Sequence, residues 1–328
     1  MAEQSKARVA VLAGGDSDER VISLKSGAAV HKALSARGFS ALSLDPSIVD
    51  LAGVDWRHFD VAFIALHGRF GEDGQVQQLL SNVGIPYTGS DARVSRLAFS
   101  KSASKERFLK SGVPTPRYLL VHDDRDTQHI QRVVEQIGFP LVVKPDCQGS
   151  SLGISIVRSY KEVLAALNLC FQYDRVAVVE EAVLGTEWTV GFLDDLALPA
   201  IRIETEREFF DWHAKYDDDQ TQYLFESDFP SSVVSSIEAT AHRACRALGT
   251  RGLARVDLRL DQARRPWVLE INTVPGFTNH SLVPKAAAKM GIEFGELCEH
   301  AIFAALPNRI LPPHILPKTA IRRGSVRE

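Results

Sequence analysis

The sequence predicts an α/β protein that is divided into more than one domain. Its 328 residues exceed the ~100–200 residues of an average domain, which indicates two or three units. In the first third, short apolar runs alternate with glycine-rich turns and helical patterns, an order typical of an open parallel sheet. The middle and last thirds carry paired strand patterns with polar loops between them, which indicates α+β units beside that sheet.

The composition is that of an ordinary globular protein, with 45% hydrophobic and 24% charged residues. The net charge of −3 leaves no basic excess to attract nucleic acid or an anionic membrane. No apolar run approaches the ~18 residues of a membrane span, and the one near the first residue is too short for a signal peptide. We therefore expect a cytoplasmic protein with no nucleic-acid or membrane partner.

The chain has four widely and irregularly spaced cysteines: Cys147, Cys170, Cys245 and Cys298. None belongs to a CxxC pair, so the pattern indicates neither a zinc site nor a disulfide framework. Free, mostly buried thiols in a reducing cytoplasm are the expected state. Cys147 lies beside a glycine-rich segment, and the residues leave its role open.

Two buried strands are predicted in the first third, at residues 8–13 and 60–66. The segment 16–19 (DSDE) resembles a capping box, and the helix that it starts continues to about Arg37 and ends at Gly38.

The second of these strands runs into a polar loop, HGRFGEDG, and then into a short amphipathic helix. In open parallel sheets, ligands bind at the carboxyl ends of the strands. We therefore expect His67 and the turn at 14–19 to face a ligand.

The middle third predicts a small α+β unit. A helix from about residue 91 leads into a predicted linker, SGVPTP. Residues 140–158 predict a β-hairpin with a long glycine- and serine-rich tip, rather than a strand-to-helix phosphate loop. A helix at 159–173 and a strand at 175–183 complete the unit.

The last third predicts four strands and one long helix. The strands are at 186–193, 196–203, 252–261 and 266–272, and the helix is near 231–248. Between them, DWHAKYDDDQTQYLFES has little periodicity, which is typical of a long functional loop. The basic, proline-containing tail at 312–328 is expected to be mobile or loosely docked.

Four polar residues on the last two predicted strands give the strongest chemical signal. Arg255 and Asp257 are two residues apart, as are Glu270 and Asn272, so each pair shares one face of its strand. If the strands pair through a turn at 261–266, Asp257 lies opposite Glu270 and Arg255 opposite Asn272. These oxygen ligands suit Mg²⁺ that is bound partly through phosphate. A salt-bridged sheet face, with Arg255 neutralising the acids, is the alternative that the residues leave open.

The predicted hairpin tip, KPDCQGSSLG, is suited to phosphate. Its backbone amides and the hydroxyls of Ser150 and Ser151 can donate to phosphate oxygens, with Lys144 at its base and Lys101 on the preceding helix. A flexible hairpin with surface lysines is the alternative, and it would be favoured if this loop stood alone.

Two acids and one serine give weaker signals. Glu180 and Glu187 lie near strand ends, where carboxylates can accept from an adenine amino group or from ribose hydroxyls. Two solvent-facing acids are the interpretation that the residues alone favour. Ser281 is a predicted N-cap of a helix whose start suits a carboxylate, and an ordinary cap is the alternative.

Seven segments from residue 9 onwards carry motifs: VLAGGDSDERVISLKSG, ALHGRFGEDGQVQ, GIPYTGS, VVKPDCQGSSLGIS, AKY, GLARVDL and LEINTVPGFTNHSLVPKAA. Together and in this order they resemble the ATP-grasp superfamily, and within it the D-alanine–D-alanine ligases. Any one alone would be weak, whereas chance agreement of seven separated motifs is negligible.

The resemblance implies an ATP-grasp fold of three domains. These are an N-terminal open parallel α/β substrate domain at 1–100, a small central α+β domain at 101–184 and a C-terminal mixed-sheet catalytic domain at 185–310, with a mobile loop at about 207–226 and a tail at 311–328. ATP would lie between the central and C-terminal domains together with two Mg²⁺ ions, for which Mn²⁺ is an alternative.

The resemblance also implies the roles of individual residues. The implied nucleotide ligands are Lys101, Lys144, Ser151, Glu180, Glu181, Val183 and Glu187. The implied metal ligands are Asp257, Glu270 and Asn272. The implied catalytic residues are Glu19, Ser150 and Tyr216, which tie the N-terminal domain to the hairpin and loop, Lys215 at the γ-phosphate, and Arg255 at the tetrahedral intermediate. The implied substrate-binding residues are Ile22, His67, Gly276, Ser281 and Leu282.

The implied activity is ATP- and Mg²⁺-dependent ligation of two D-alanines through an acyl phosphate, for peptidoglycan precursor synthesis, by a homodimer. Another ATP-grasp amino-acid ligase of peptide or antibiotic biosynthesis is one alternative. A nucleotide-binding regulator without turnover is another.

Four positions depart from the family pattern: Val21, Gln148, Glu181 and Asn279. None removes a metal ligand or a principal phosphate group, so they bear on the choice of substrate rather than on the reaction type. Tyr216 after Lys215 resembles the enzymes that make D-alanyl-D-alanine rather than lactate esters.

Overall fold

The computed structural model describes residues 6–123, 126–206, 220–225, 228–278 and 280–306, whose strands form three sheets. The strands are β1 (Arg8–Leu12), β2 (Ser40–Leu44), β3 (Val61–Ile64), β4 (Tyr118–His122), β5 (Leu141–Pro145), β6 (Ser155–Val157), β7 (Val176–Glu181), β8 (Gly185–Leu193), β9 (Leu196–Ala197), β10 (Ile201–Glu204), β11 (Gln222–Leu224), β12 (Leu253–Asp261) and β13 (Pro266–Asn272). The helices are α1 (Arg20–Ala36), α2 (Gln75–Asn82), α3 (Ala92–Phe99), α4 (Lys101–Lys110), α5 (Thr127–Ile137), α6 (Tyr160–Cys170), α7 (Ser231–Leu248), α8 (Leu282–Lys289) and α9 (Phe294–Ala305).

The first sheet is parallel, in the order β2-β1-β3, as the alternation of strands and helices predicts. Its central strand is buried on both faces. Val9 and Val11 enter a core with α1 and α9, whereas Ala10 and Leu12 enter a second core with α2. Because β1 and β3 are parallel neighbours, the turn at 14–19 and His67 leave the sheet at the same edge.

The second sheet is antiparallel, in the order β4-β7-β5-β6, and its core includes residues of α5 and α6. The predicted hairpin is confirmed, because Leu141 pairs with Val157 and Val143 with Ser155 across β5 and β6. We call residues 146–154, which join these two strands, the hairpin tip.

The third sheet has the order β11-β10-β8-β12-β13, with β9 paired to β8. The predicted register of its last two strands is confirmed: Asp257 lies opposite Glu270 and Arg255 opposite Asn272. Val256 on β12 is fully buried in the core beneath. A bulge after Asp257 shifts the rest of the pairing by one residue, which separates the polar end of the hairpin from its remainder.

The second sheet is joined to the rest of the molecule by two chain segments, residues 111–117 and 182–184. The two segments meet the sheet side by side, since the Glu181 amide donates to the Arg117 carbonyl over 2.9 Å. The first segment is also bound to β13. There the Val268 amide donates to the Pro114 carbonyl over 2.8 Å, and the Thr115 hydroxyl donates to the Val268 carbonyl over 2.9 Å.

Three predictions about secondary structure are wrong. The helix predicted from about residue 91 is two helices, α3 and α4, because Ser100 is extended and caps the second one. The segment at 16–19 is not a capping box, because Glu19 is itself the N-cap residue of α1 and its side chain does not cap the helix. The predicted strand at 196–203 is two strands, β9 and β10, which both pair with β8 at different places.

The composition also led to expectations about the cysteines and about membrane spans. All four cysteines are free thiols, and three of them are buried, as predicted. A search of the described helices finds none that is both long and apolar enough to cross a membrane.

Candidate active site

A cavity of about 570 Å³ lies between the hairpin tip, the carboxyl edge of the first sheet and the polar end of β12 and β13. Residues that are far apart in the sequence meet on its wall. The predicted site residues among them are Glu19, Ile22, His67, Lys101, Ser150, Arg255, Glu270, Asn272, Gly276, Ser281 and Leu282.

The polar face of β12 and β13 forms one wall. Arg255 donates to both carboxylate oxygens of Asp257, over 2.8 and 2.7 Å, and the Thr189 hydroxyl donates to the same carboxylate over 2.7 Å. The Asn272 side-chain oxygen accepts from the Val274 amide over 2.9 Å. The salt bridge that the sequence left open as an alternative is therefore present, and it holds the Asp257 carboxylate in a fixed orientation.

The same face fits a divalent cation that completes its shell with other oxygens. Asp257, Glu270 and Asn272 offer hard oxygen donors on adjacent, paired strands. Among the described residues, no cluster of three or more histidines, cysteines or acids could hold a metal ion alone. Two carboxylates and one amide oxygen are donors that suit Mg²⁺, which usually keeps several non-protein ligands such as phosphate oxygens.

The hairpin tip closes on the first sheet through a buried contact, in which the Ser150 hydroxyl donates to the Glu19 carboxylate. Both serines of the tip adopt positive φ, 51° at Ser150 and 58° at Ser151, a strained conformation for residues other than glycine. A Cβ at Gly149 would lie only 2.8 Å from Glu19 Oε2, so a larger residue there would displace the Glu19 carboxylate.

The base of the tip is bound to the start of α4. The Asp146 carboxylate accepts from the Ser102 amide over 2.6 Å and from the Ser100 hydroxyl over 2.8 Å. From this helix start, Lys101 donates to the Gln148 carbonyl over 2.6 Å, and its Nζ lies 3.5 Å from Glu270. Lys101 therefore connects the hairpin tip to the polar face.

Cys147 lies within the tip, and its thiol is protonated at neutral pH. Burial and the neighbouring carboxylates of Asp146 and Asp174 raise the pKa of its thiol to about 12. Its backbone amide donates to Asp174 over 2.6 Å. Since the thiolate is the nucleophile, this cysteine is not activated.

Glu180 is buried between two lysines, so the interpretation as a solvent-facing acid is wrong. Only 2% of the residue is exposed, and its carboxylate lies 2.6 Å from Lys105 Nζ and 2.6 Å from Lys144 Nζ. Burial opposes the charge on Glu180, but the two cations outweigh it and lower its pKa. Lys105, Glu180 and Lys144 form a buried group of two cations and one anion, which we call the Lys–Glu–Lys group.

His67 is held at the carboxyl edge of the first sheet by contacts on both ring nitrogens. Nδ1 donates to the Val274 carbonyl over 3.0 Å, and Nε2 lies 3.0 Å from the Ser26 hydroxyl. Burial disfavours the charged ring, but nearby Glu72 and Glu19 outweigh it and raise the pKa of His67. The cavity therefore has a fixed imidazole on this wall, poised to carry positive charge.

Ser281 occupies the N-cap position of α8, as predicted, but its hydroxyl does not cap the helix. It accepts instead from the Thr278 amide over 3.0 Å. A Cβ at Gly276 would lie 3.2 Å from Ser281 Oγ, so the chain passes close to the helix start. Gly276, Ser281 and Leu282 thereby line one end of the cavity.

Comparisons with known proteins identify the family. The family model described as the D-Ala D-Ala ligase C-terminus matches residues 108–303, and the one described as the N-terminus matches residues 48–90. The D-alanine–D-alanine ligase of Aromatoleum aromaticum is 45% identical over 291 residues, which cover 89% of this chain and 93% of that protein. The chain belongs to the D-alanine–D-alanine ligase family.

Solved structures of ligases confirm the predicted ATP-grasp fold. The D-alanine–D-alanine ligase of Bacillus anthracis complexed with ATP superposes with a TM-score of 0.77 at 29% identity, over 92% of this chain and 97% of that one. The D-Ala:D-Ser ligase of Enterococcus faecalis superposes with a TM-score of 0.80 at 25% identity, over 90% and 98% of the chains. Relatives with different second substrates thus share this architecture.

Several site residues implied by the ligase resemblance do not line the cavity. These are Lys144, Ser151, Glu180, Glu181, Val183, Glu187 and Asp257. Lys144 lies on β5, Glu180 and Glu181 on β7 and Glu187 on β8. Asp257 lies on β12 and is bound by Arg255. Glu181 is exposed, whereas Glu187 lies 3.3 Å from Arg259.

Lys215, Tyr216 and Asn279, most of the predicted loop at 207–226 and the tail at 311–328 lie outside the described residues. Their predicted roles in this ligase stay predictions.

Sequence reasoning missed several residues of the site. Lys105 is completely buried beside Glu180, and Glu72, Tyr223 and Lys285 line the cavity. Lys105 follows Lys101 by one helical turn, and this spacing was the one signal in the sequence that places both on the same face of α4.

Proposed function

We propose that this chain joins two D-alanines to D-alanyl-D-alanine, with ATP converted to ADP and phosphate, in the synthesis of peptidoglycan precursors. The observation that carries the proposal is the cavity, where the hairpin tip, the polar face and the carboxyl edge of the first sheet meet. Membership of the ligase family and the likeness to an ATP-bound ligase support it.

The chemistry follows from the weakness of a carboxylate as an acyl donor. Transfer of the γ-phosphoryl group of ATP to the first D-alanine gives an acyl phosphate, which the amine of the second D-alanine attacks. The tetrahedral intermediate carries negative charge on oxygen. Arg255, which is fixed by Asp257, supplies a preorganised cation for it, and the Gly276 amide supplies a hydrogen-bond donor.

We assign the metal role to the polar face of β12 and β13. Two Mg²⁺ ions, or Mn²⁺ in their place, would neutralise phosphoryl charge when bound. Asp257, Glu270 and Asn272 would hold them, because their oxygens lie together on paired strands.

We assign the nucleotide to the crevice between the second and third sheets. Lys101 reaches the tip carbonyl and the polar face, which supports a contact with phosphate. Ser151, in the same tip, would donate to phosphate oxygens. Lys144 and Glu180 lie on neighbouring strands, where Glu180 would accept from the adenine amino group. Glu181, Val183 and Glu187 extend this edge toward the ribose.

We assign the two amino acids to opposite ends of the cavity. Glu19, Ile22 and His67 would face the first D-alanine, and Ser281 and Leu282 the carboxylate of the second. Ser150 and Tyr216, with Glu19, would hold the closed arrangement, and Lys215 would reach the γ-phosphate. A closed loop over the cavity would keep water from the acyl phosphate.

The three sheets also support the division into domains at 1–100, 101–184 and 185–310. We further propose a cytoplasmic homodimer without nucleic-acid or membrane partners, which agrees with the net charge of −3.

Phosphate release tests the proposal. The protein is incubated with ATP, Mg²⁺ and D-alanine, and in parallel with L-amino acids, D-serine and D-lactate, and the products are identified by mass spectrometry. Release with D-alanine and formation of D-alanyl-D-alanine are expected. Release with another amino acid alone would move the chain to a biosynthetic ligase role. ATP binding without turnover on any substrate would favour a regulator.

A further inference from the structure

One cation on the cavity wall differs from the others in its surroundings. Lys101 and Arg255 each contact an acidic side chain, namely Glu270 and Asp257. Lys25 also lines the cavity, but it is exposed, so water can solvate its ammonium group. Lys285 is half-buried, and within the described part of the chain its ammonium has neither a carboxylate nor a hydrogen-bond acceptor.

The contact that Lys285 does make is a cation–π contact. Its Nζ lies 4.0 Å from the centroid of the Tyr223 ring, which also lines the cavity. Such a contact holds a cation in place but leaves its charge without a counter-ion. Burial lowers the pKa of Lys285, as expected for an ammonium group that has lost water and that meets no carboxylate among the described residues.

The position on α8 adds to this excess of positive charge. Lys285 follows Ser281 by four residues, so the two side chains share one face of the helix. The first turn of α8 contains no acidic residue, and the start of a helix carries a partial positive charge of its own. A cation here is unfavourable unless an anion joins it.

We propose that Lys285 binds the carboxylate of the second D-alanine and thereby selects amino-acid acceptors that carry a free carboxylate. The inference rests on the proposed ligation. In that reaction the first carboxylate becomes the acyl phosphate, whereas the second stays ionised throughout and keeps its charge in the product. A half-buried cation beside Ser281 and Leu282 supplies its counter-ion, and the Tyr223 ring orients the ammonium toward the cavity.

The test is a competition between two acceptors for the same acyl phosphate. D-alanine is phosphorylated by ATP in the first site. D-alanine and D-alaninamide then compete as acceptors in the second site. The ratio of D-alanyl-D-alanine to D-alanyl-D-alaninamide, measured by mass spectrometry, depends only on the acceptor step. The lower basicity of the amide's amine is the same for every variant, so it cancels when variants are compared.

Lys285→Met is expected to lower the preference for D-alanine over D-alaninamide by roughly 10- to 100-fold, the range for losing one hydrogen bond to a charged group. Lys285→Arg keeps the cation and is expected to recover most of the preference. Lys289→Met removes the same charge from the same helix at a residue that does not line the cavity, and should leave the ratio unchanged.

An unchanged product ratio in Lys285→Met, with wild-type protein forming dipeptide, overturns the inference while leaving the proposed function intact. So does a rise confined to the KM for ATP, which would assign the ammonium to phosphate. Failure of the wild type to form any dipeptide would instead overturn the proposed function. Circular dichroism of each variant confirms that the fold is retained.

Discussion

The net charge of the Lys–Glu–Lys group predicts how two substitutions change the stability of the fold. Lys105, Glu180 and Lys144 are all at least 95% buried and carry one net positive charge. Glu180→Gln removes the carboxylate that lies between the two buried ammonium groups and leaves the more distant Glu270 to act on Lys105. Breaking a buried ion pair in this way costs about 3–5 kcal/mol. Lys105→Met removes the surplus cation and leaves a neutral pair of Lys144 and Glu180.

The second variant should therefore be less harmful. Lys105 also donates to Thr115 Oγ1 over 2.8 Å and to the Pro116 carbonyl over 3.2 Å. The Thr115 hydroxyl keeps its own bond to Val268, and removal of Lys105 relieves its repulsion of Lys144. The net loss should therefore be about 1.5–3 kcal/mol, the range for one hydrogen bond that involves a charged group. Urea denaturation of the ligand-free protein, followed by circular dichroism, measures both. Glu181→Gln, at the exposed neighbour of Glu180, is the control and should stay within about 0.5 kcal/mol of the wild type.

The pH dependence gives an independent check. Burial lowers the pKa of Lys105 to about 8, from 10.5 in the unfolded chain. Between these values the unfolded chain binds more protons, so the contribution of Lys105 to stability rises with pH. Glu180→Gln lowers this pKa further, so its deficit relative to the wild type should shrink as the pH rises from 7 to 10, where Lys105 is neutral in both folded proteins. A larger loss in Lys105→Met than in Glu180→Gln, or a deficit that does not vary with pH, would refute the charge counting.

Three further outcomes are expected. Glu270→Gln should abolish dipeptide formation while circular dichroism shows an intact fold, and wild-type turnover would contradict the metal assignment. Cys147 should resist iodoacetamide at pH 7.5 in the native protein and react in urea, because a thiol with a pKa of about 12 is less than about one part in 10⁴ thiolate; rapid native labelling, detected by mass spectrometry, would show that the thiol is activated. Tyr216→Phe should relax the choice between D-alanine and D-lactate as second substrate in a product-ratio assay, and an unchanged ratio would count against its role in loop closure.

The polar face could be predicted from the sequence because its geometry is local. Two strands joined by a short turn have few registers, and polar residues at two-residue spacing in both strands select the one that puts Asp257 opposite Glu270. The hairpin of β5 and β6 was predictable for the same reason.

The burial of Glu180 was not predictable, because it depends on contacts far away in the chain. β7 is apolar on both faces, so its alternation does not say where Glu180 points. Its partner strand β4 and the helix that carries Lys105 precede it by about 60–80 residues. Glu19 failed as a cap for a related reason: its carboxylate meets Ser150, 131 residues away, instead of the start of its own helix.

The two adjacent connections at 111–117 and 182–184 restrict how the second sheet can move. Two neighbouring attachments define a line, and a rigid body that is held along a line keeps one rotation and loses sideways sliding. The strands at the attached side are β4 and β7, whereas the hairpin tip extends from β5 and β6 on the far side. The second sheet can thus rotate about a hinge at Pro114–Arg117. A few degrees of turn there would lift Ser150 from Glu19 and would also break the contacts of Asp146 with Ser100 and Ser102, while every strand pairing within the sheet stays intact.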